Sequence, residues 1–360
     1  MAVHPITAQE AMQRMALPAG DAGAFSCIID ARSESEHAHD HLPKALNWPS
    51  LTDEERVRVG TIYKQVSAFE ANKVGAALVA ANIAKHIQTH VMSLPKQWQP
   101  LLYCWRGGKR SGSLALVLGQ IGFKVWLIEG GYKAFRAAVM EDTARLAQGL
   151  KFQVIAGPTG SGKTRLLQAL REVGAQVLDL EALAQHRSSV LGKIPGQAQP
   201  SQKHFDMRVW QQLRQFDTSR TVFVEAESKK VGNVSIPENL VKAMRNSHCI
   251  DLQLSDEERV KLLLEDYAFF TENGDLFCQR LQVLTALKGK AVVSAWQSLV
   301  QQGQTEQVVR ELLVSHYDPT YAKSVDRNFV QFEHAHVLPM ASRQPHDMLA
   351  AAKRLTERYP

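Results

Sequence analysis

Two glycine-rich turns, each set between an apolar run and a helical pattern, constrain this chain of 360 residues more than any other feature. One reads Tyr103-Cys-Trp-Arg-Gly-Gly-Lys-Arg-Ser111 and the other Gly157-Pro-Thr-Gly-Ser-Gly-Lys-Thr164. Such a turn needs a strand to deliver it and a helix to receive it, so both belong to α/β layers. Glycines let successive backbone N–H groups face inward as an anion nest, and the helix N-terminus beyond adds partial positive charge. The chain therefore carries two anion cradles, one with a cysteine and one with a lysine.

The rest of the chain fits that layering. Short apolar runs at 25–30, 100–104, 124–128, 152–156, 177–180, 221–224 and 250–254 read as buried strands. His41 to Asn47 reads as a loop entering another extended piece. Segments 71–88, 114–122, 135–150 and 163–173 have helical spacing, and from Asp256 onward the pattern is mostly helical. Strands alternating with helices predict parallel sheets. The expected fold class is α/β. A parallel-sheet domain over 1–140 is followed over 141–360 by a second α/β domain whose C-terminal part is helical.

Composition adds limits. A net charge of +6 is mild and spread over both halves, so it admits an acidic partner or simply a solvated basic surface. Cys27, Cys104, Cys249 and Cys278 show no CxxC or Cys/His ligand spacing, which argues against zinc. The N-terminus lacks a basic segment followed by an apolar one, and no apolar run reaches the ~18 residues of a membrane span. A cytoplasmic protein with reduced thiols and no membrane contact is expected.

In the first turn, the nest and helix N-terminus favour the thiolate of Cys104 and make it a nucleophile. Arg106, Lys109 and Arg110, with Gly107, Gly108 and Ser111, could hold an oxyanion or a sulfur- or selenium-bearing anion there. Cys27, Cys249 and Cys278 have apolar neighbours and read as core. The segment Ile29-Asp-Ala-Arg32, with Glu36, His41, Pro43 and Ala45, resembles the opening of rhodanese domains. Cys104 and then Glu129-Gly130-Gly131 resemble their active-site region. The likeness spans about 20–137 and implies that Cys104 carries a transferable sulfur or selenium. Asp30 and Arg32 read first as a buried ion pair, and His37, His39 and His41 as solvated loop residues. The turn also satisfies Cys-x5-Arg-Ser, the spacing of cysteine phosphatases, so a phosphatase or a sulfurtransferase fused to a nucleotide-binding domain is the alternative.

In the second turn, Gly157-x4-Gly162-Lys163-Thr164 is a P-loop in its proper strand–loop–helix setting. Gly157, Thr159, Gly160, Ser161 and Gly162 would wrap a diphosphate, Lys163 would neutralise it and Thr164 would sit on Mg²⁺. Glu225 and Glu227 follow an apolar strand and either hold the metal through water or are plain surface acids. Asp179 and Glu181 are weaker candidates of the same kind. Two polar stretches remain, one with His186, Arg187, Gln199 and Gln202 and one with Tyr317 and Tyr321, and both read as substrate loops. The second reads equally as a turn between helices.

A rhodanese-like half followed by a P-loop half resembles the tRNA 2-selenouridine synthase family over nearly the whole chain. One departure is visible: the family carries glycine after His-Arg, where this chain has Ser188, which leaves that loop's conformation open. The resemblance implies two reactions at the wobble uridine of tRNA. 2-Thiouridine is first S-geranylated by geranyl diphosphate, and selenium from selenophosphate then replaces the geranylated sulfur. It implies these two substrates, Mg²⁺ at the P-loop, no tightly bound cofactor, a tRNA anticodon stem-loop as partner and an enzyme that supplies selenophosphate.

Overall fold

Short apolar runs linked by amphipathic helices assemble here into two parallel sheets. The computed structural model describes residues 3–360. One unit ends at Asp142 and the other begins at Thr143. The chain passes between them within helix Gly131–Gly149.

In the first unit, β1 (Val3–Ile6), β2 (Ile28–Asp30), β3 (Ala45–Asn47), β4 (Leu101–Tyr103) and β5 (Val125–Ile128) lie in the order β1-β5-β4-β2-β3, all parallel. Ile29, Leu102, Leu114, Leu118 and Val125 form its core. Asp30 and Tyr103 are in register, so the chain leaves β2 at Ala31 and β4 at Cys104 side by side. The Glu129-Gly130-Gly131 turn follows β5 at the same edge.

The second unit holds β6 (Lys151–Ala156), β7 (Gln176–Leu178), β8 (Thr221–Glu225), a hairpin of β9 (Lys230–Val231) and β10 (Val234–Ser235), then β11 (His248–Gln253) and β12 (His336–Pro339). Its sheet runs β12-β11-β6-β8-β7, again parallel. Side chains alternate between two cores. Val154, Val222, Val224 and Cys249 face one side, while Ile155, Phe223, Ile250 and Leu252 face the other. That is why these strands read as unbroken apolar runs. After β6 the chain goes first to β7 and β8 on one flank and later to β11 and β12 on the other. The switch point lies at the carboxyl end of β6, where open α/β sheets bind ligands. Helices between Asp256 and Leu312 enclose a separate core around Phe270, Phe277, Trp296 and Val308. No described helix is long and apolar enough to cross a membrane.

Four strands have no counterpart among the expected ones: the two-residue β9 and β10 of the hairpin, and β1 and β12. β1 and β12 are four-residue edge strands, each containing a proline. Only one side of an edge strand is hydrogen-bonded, so proline is tolerated and the apolar signal is weak.

Candidate functional site

Each glycine turn shapes its own site, and the first is built from backbone. Cys104 is 3% exposed, directly after β4. Its carbonyl accepts from Tyr132 N (2.8 Å), and that of Trp105 accepts from Lys133 N (3.1 Å), which ties the turn to the segment after β5. Gly107 has φ +64°, and a Cβ there would meet Ile128 O at 2.8 Å. Gly131 has φ +59°, and a Cβ there would meet Cys104 O at 2.3 Å and Gly107 N at 2.4 Å. Only glycines permit this approach. Gly108 then caps helix Lys109–Ile121, whose first turn contains Ser111. The Ser111 hydroxyl is buried and has no hydrogen-bond partner in the turn, an orphan that a bound anion could satisfy.

The cations of this turn divide. Arg106 and Lys109 are exposed. Arg110 instead donates from Nη1 to Glu36 Oε2 at 2.8 Å. One of its nitrogens is thus engaged by a carboxylate, which weakens the phosphatase geometry, where that arginine must grip phosphate. Asp30 and Arg32 are a buried pair, with Arg32 Nε and Nη2 donating to Asp30 at 2.9 and 2.6 Å. Arg32 also donates to Asp40 O and lies 4.0 Å over the Tyr132 ring. Burial raises the Asp30 carboxyl, but hydrogen bonds from His37 and Arg32 outweigh it and hold the group below its usual range. His37 is thus half-buried against Asp30 at 3.1 Å rather than solvated, with the His41 ring stacked on it. The other cysteines are poor nucleophiles: burial pushes the Cys27 thiol up to about 12 and the Cys249 thiol up to about 11, and raises that of Cys278.

At the second turn, Lys163 follows the left-handed Gly162 and donates to Gly157 O (2.7 Å) and Pro158 O (3.3 Å). Burial depresses its ammonium against the pull of Glu181, Glu227 and Glu225. Thr164 Oγ1 lies 3.3 Å from Glu181 Oε2. Glu225 is buried, and its Oε1 accepts from Leu180 N (2.7 Å) and Glu181 N (3.0 Å), while Oε2 is an orphan. Burial, then Asp179, Glu227 and Glu181, push the Glu225 carboxyl well above the usual range. Burial and Glu181 push Glu227 up to about 8, although Ser188 Oγ donates to it. Ser188 N also donates to Glu181 Oε1. So the residue that departs from the family pattern links two of the acids. Oxygen donors with excess negative charge beside Thr164 fit Mg²⁺. Among the described residues no three His, Cys, Asp or Glu side chains form a metal cage. The Ser161 hydroxyl is a second buried orphan, again inside an anion turn.

Several expected site residues have other tasks. Asp179 caps helix Leu180–Ala184 by accepting from Ala182 N at 2.8 Å, whereas Glu181 reaches Thr164. The amide of Gln199 donates to Ala184 O and Val231 O, and its oxygen accepts from Asn233 N. Gln202 makes a matching pair with the backbone of Ser235 (2.8 and 2.7 Å). Both pin the β9–β10 hairpin. Arg187 donates to Asp266 O and lies 4.4 Å over the Tyr267 ring. His186 keeps a buried, unpaired Nδ1. Tyr317 packs into the helical core, but Tyr321 reaches the P-loop, where its hydroxyl accepts from Gly157 N at 2.5 Å. Arg259, which sequence reasoning missed, is 5% exposed. It donates to Thr159 O (3.0 and 2.9 Å) and pairs with Asp256 (2.8 Å) and Asp318 (2.5 Å). Its only signal was Asp318, inside the polar cluster around Tyr317.

Residues 150–282 match the tRNA 2-selenouridine synthase AAA domain, and residues 7–138 match the rhodanese-like domain. A tRNA 2-selenouridine synthase of Sulfurovum sp. (strain NBC37-1) is 30% identical over 331 residues, covering 84% of this chain and 89% of that protein. The chain belongs to the tRNA 2-selenouridine synthase family. Its relative of that name from Nitrosomonas europaea is 38% identical over 253 residues, 69% of this chain, and the one from Shewanella denitrificans is 36% identical over 246 residues, 67% of this chain. Each of these alignments spans 65% of the relative's length.

Proposed function

We propose that this family member converts wobble 2-thiouridine of tRNA to 2-selenouridine in two steps, one at each anion turn. The observation that carries the reading is the pairing of a lysine turn rimmed by acids with a cysteine turn shaped by glycines, each holding a buried serine hydroxyl without a partner.

At the P-loop, the backbone N–H groups, Ser161 and Lys163 grip the diphosphate of a geranyl donor. Thr164, with Glu181, Glu225 and Glu227 beside it, would hold Mg²⁺, which would add charge neutralisation at the pyrophosphate. The soft thiocarbonyl sulfur forms a bond to the allylic carbon as the carbon–oxygen bond breaks. Positive charge fixed at the leaving group lowers the barrier because negative charge develops there. The geranylated sulfur is then a good leaving group from C2 of the base. At the cysteine turn, Arg106, Lys109, the nest and Ser111 bind selenophosphate with Cys104 beside its selenium. The selenium bonds to C2 as the C2–S bond breaks and geranyl thiol leaves. Water then cleaves the P–Se bond to release phosphate. Unpaired anticodon bases can be splayed into such sites.

Nucleoside mass spectrometry of tRNA from selenite-fed cells tests the reading. 2-Selenouridine should appear only when the protein is present. Equal amounts with and without it would refute the proposal.

A further inference from the structure

A cleft of about 410 Å³ opens beside the P-loop, within the second unit. That is the size of a small-molecule site. Pro158 of the loop forms one wall. Leu254 beyond β11, Tyr321, Ala322 and Val325 of helix Asp318–Asn328, and Phe332 line it as well. Two of these residues touch both spaces: Pro158 O accepts from Lys163 Nζ, and Tyr321 accepts from Gly157 N. The cleft therefore adjoins the loop that would hold a diphosphate.

The polar residues of the rim do not suit a nucleobase. Gln253 Nε2 donates to Asp251 Oδ2 at 2.8 Å, so these two groups satisfy each other. What remains is aliphatic and aromatic surface beside two carboxylates, Asp251 and Asp326. A hydrocarbon chain laid against that surface gains apolar contact while the exposed Asp326 stays with solvent.

We infer that this cleft is the binding subsite for the hydrocarbon tail of the diphosphate donor, and that Ala322, Val325 and Phe332 set the chain length it accepts. The inference rests on the geranyl-transfer reading above and deepens it. In calorimetry with the full chain, Ala322→Trp, at an exposed helix position, should weaken geranyl diphosphate about tenfold or more while inorganic diphosphate binds as to the wild type. Val325→Ala should shift preference toward the longer farnesyl diphosphate. If Ala322→Trp leaves both ligands unchanged, or weakens both equally, the subsite is wrong although wild-type binding of geranyl diphosphate upholds the function. If Ala322→Trp weakens ATP as much as the geranyl donor, the cleft takes a base and the inference fails. If the wild type binds inorganic diphosphate but gains nothing from the geranyl tail, the proposed function and this subsite fall together.

Discussion

Glycine at 131 shows how narrowly single residues define the cysteine turn. A Cβ there would overlap Cys104 O and Gly107 N, so Gly131→Ala must move the turn. We expect a stability loss of about 1–3 kcal/mol from the left-handed backbone alone, read by denaturant melts. Selenium transfer should be lost while geranylation persists. Glu227 gives a pH prediction. Its carboxyl is raised from 4.5 to about 8 in the folded protein, so the folded state prefers it protonated. Its contribution to stability is full below the unfolded value and is lost as pH rises toward 8. Mg²⁺ needs the ionised form, so Mg²⁺-dependent diphosphate binding should strengthen as pH rises through that range and release protons. Glu227→Gln should flatten the profile, and an unchanged slope would contradict the assignment.

Between elements, Arg259 clamps helix Asp256–Asp266 and helix Asp318–Asn328 to the P-loop through Thr159. Arg259→Ala should cost about 2 kcal/mol, since charged hydrogen bonds to buried partners are lost, and should weaken diphosphate binding in calorimetry. A variant that melts and binds like the wild type would reduce Arg259 to a surface cation. The two turns were legible in the sequence because their chemistry demands specific residue types at fixed spacing. The central strands were legible because burial on both faces makes them apolar throughout. The edge strands β1 and β12 were not, since each is short, contains a proline and pairs on one side only. Gln199 and Gln202 looked functional because they are polar, but their amides complete the hydrogen bonds of a short hairpin. Arg259 carries no motif, and only packing between distant helices reveals its partners. Glu181 gained weight over Asp179 because the short helix after β7 turns it toward Thr164, a local event that strand pattern does not encode.

For the molecule as a whole, the reading predicts that tRNA binding is driven by phosphate contacts of a chain with net charge +6. The logarithm of affinity should fall linearly with the logarithm of salt, and a flat plot would count against a tRNA substrate. The central claim is that one chain divides two steps between two anion turns. Mass spectrometry of 2-thiouridine tRNA incubated with geranyl diphosphate and selenophosphate tests it most directly. Cys104→Ser should accumulate the S-geranyl nucleoside without 2-selenouridine, and Lys163→Ala should yield neither. Selenouridine from Cys104→Ser, or geranylation by Lys163→Ala at near the wild-type rate, would contradict the account.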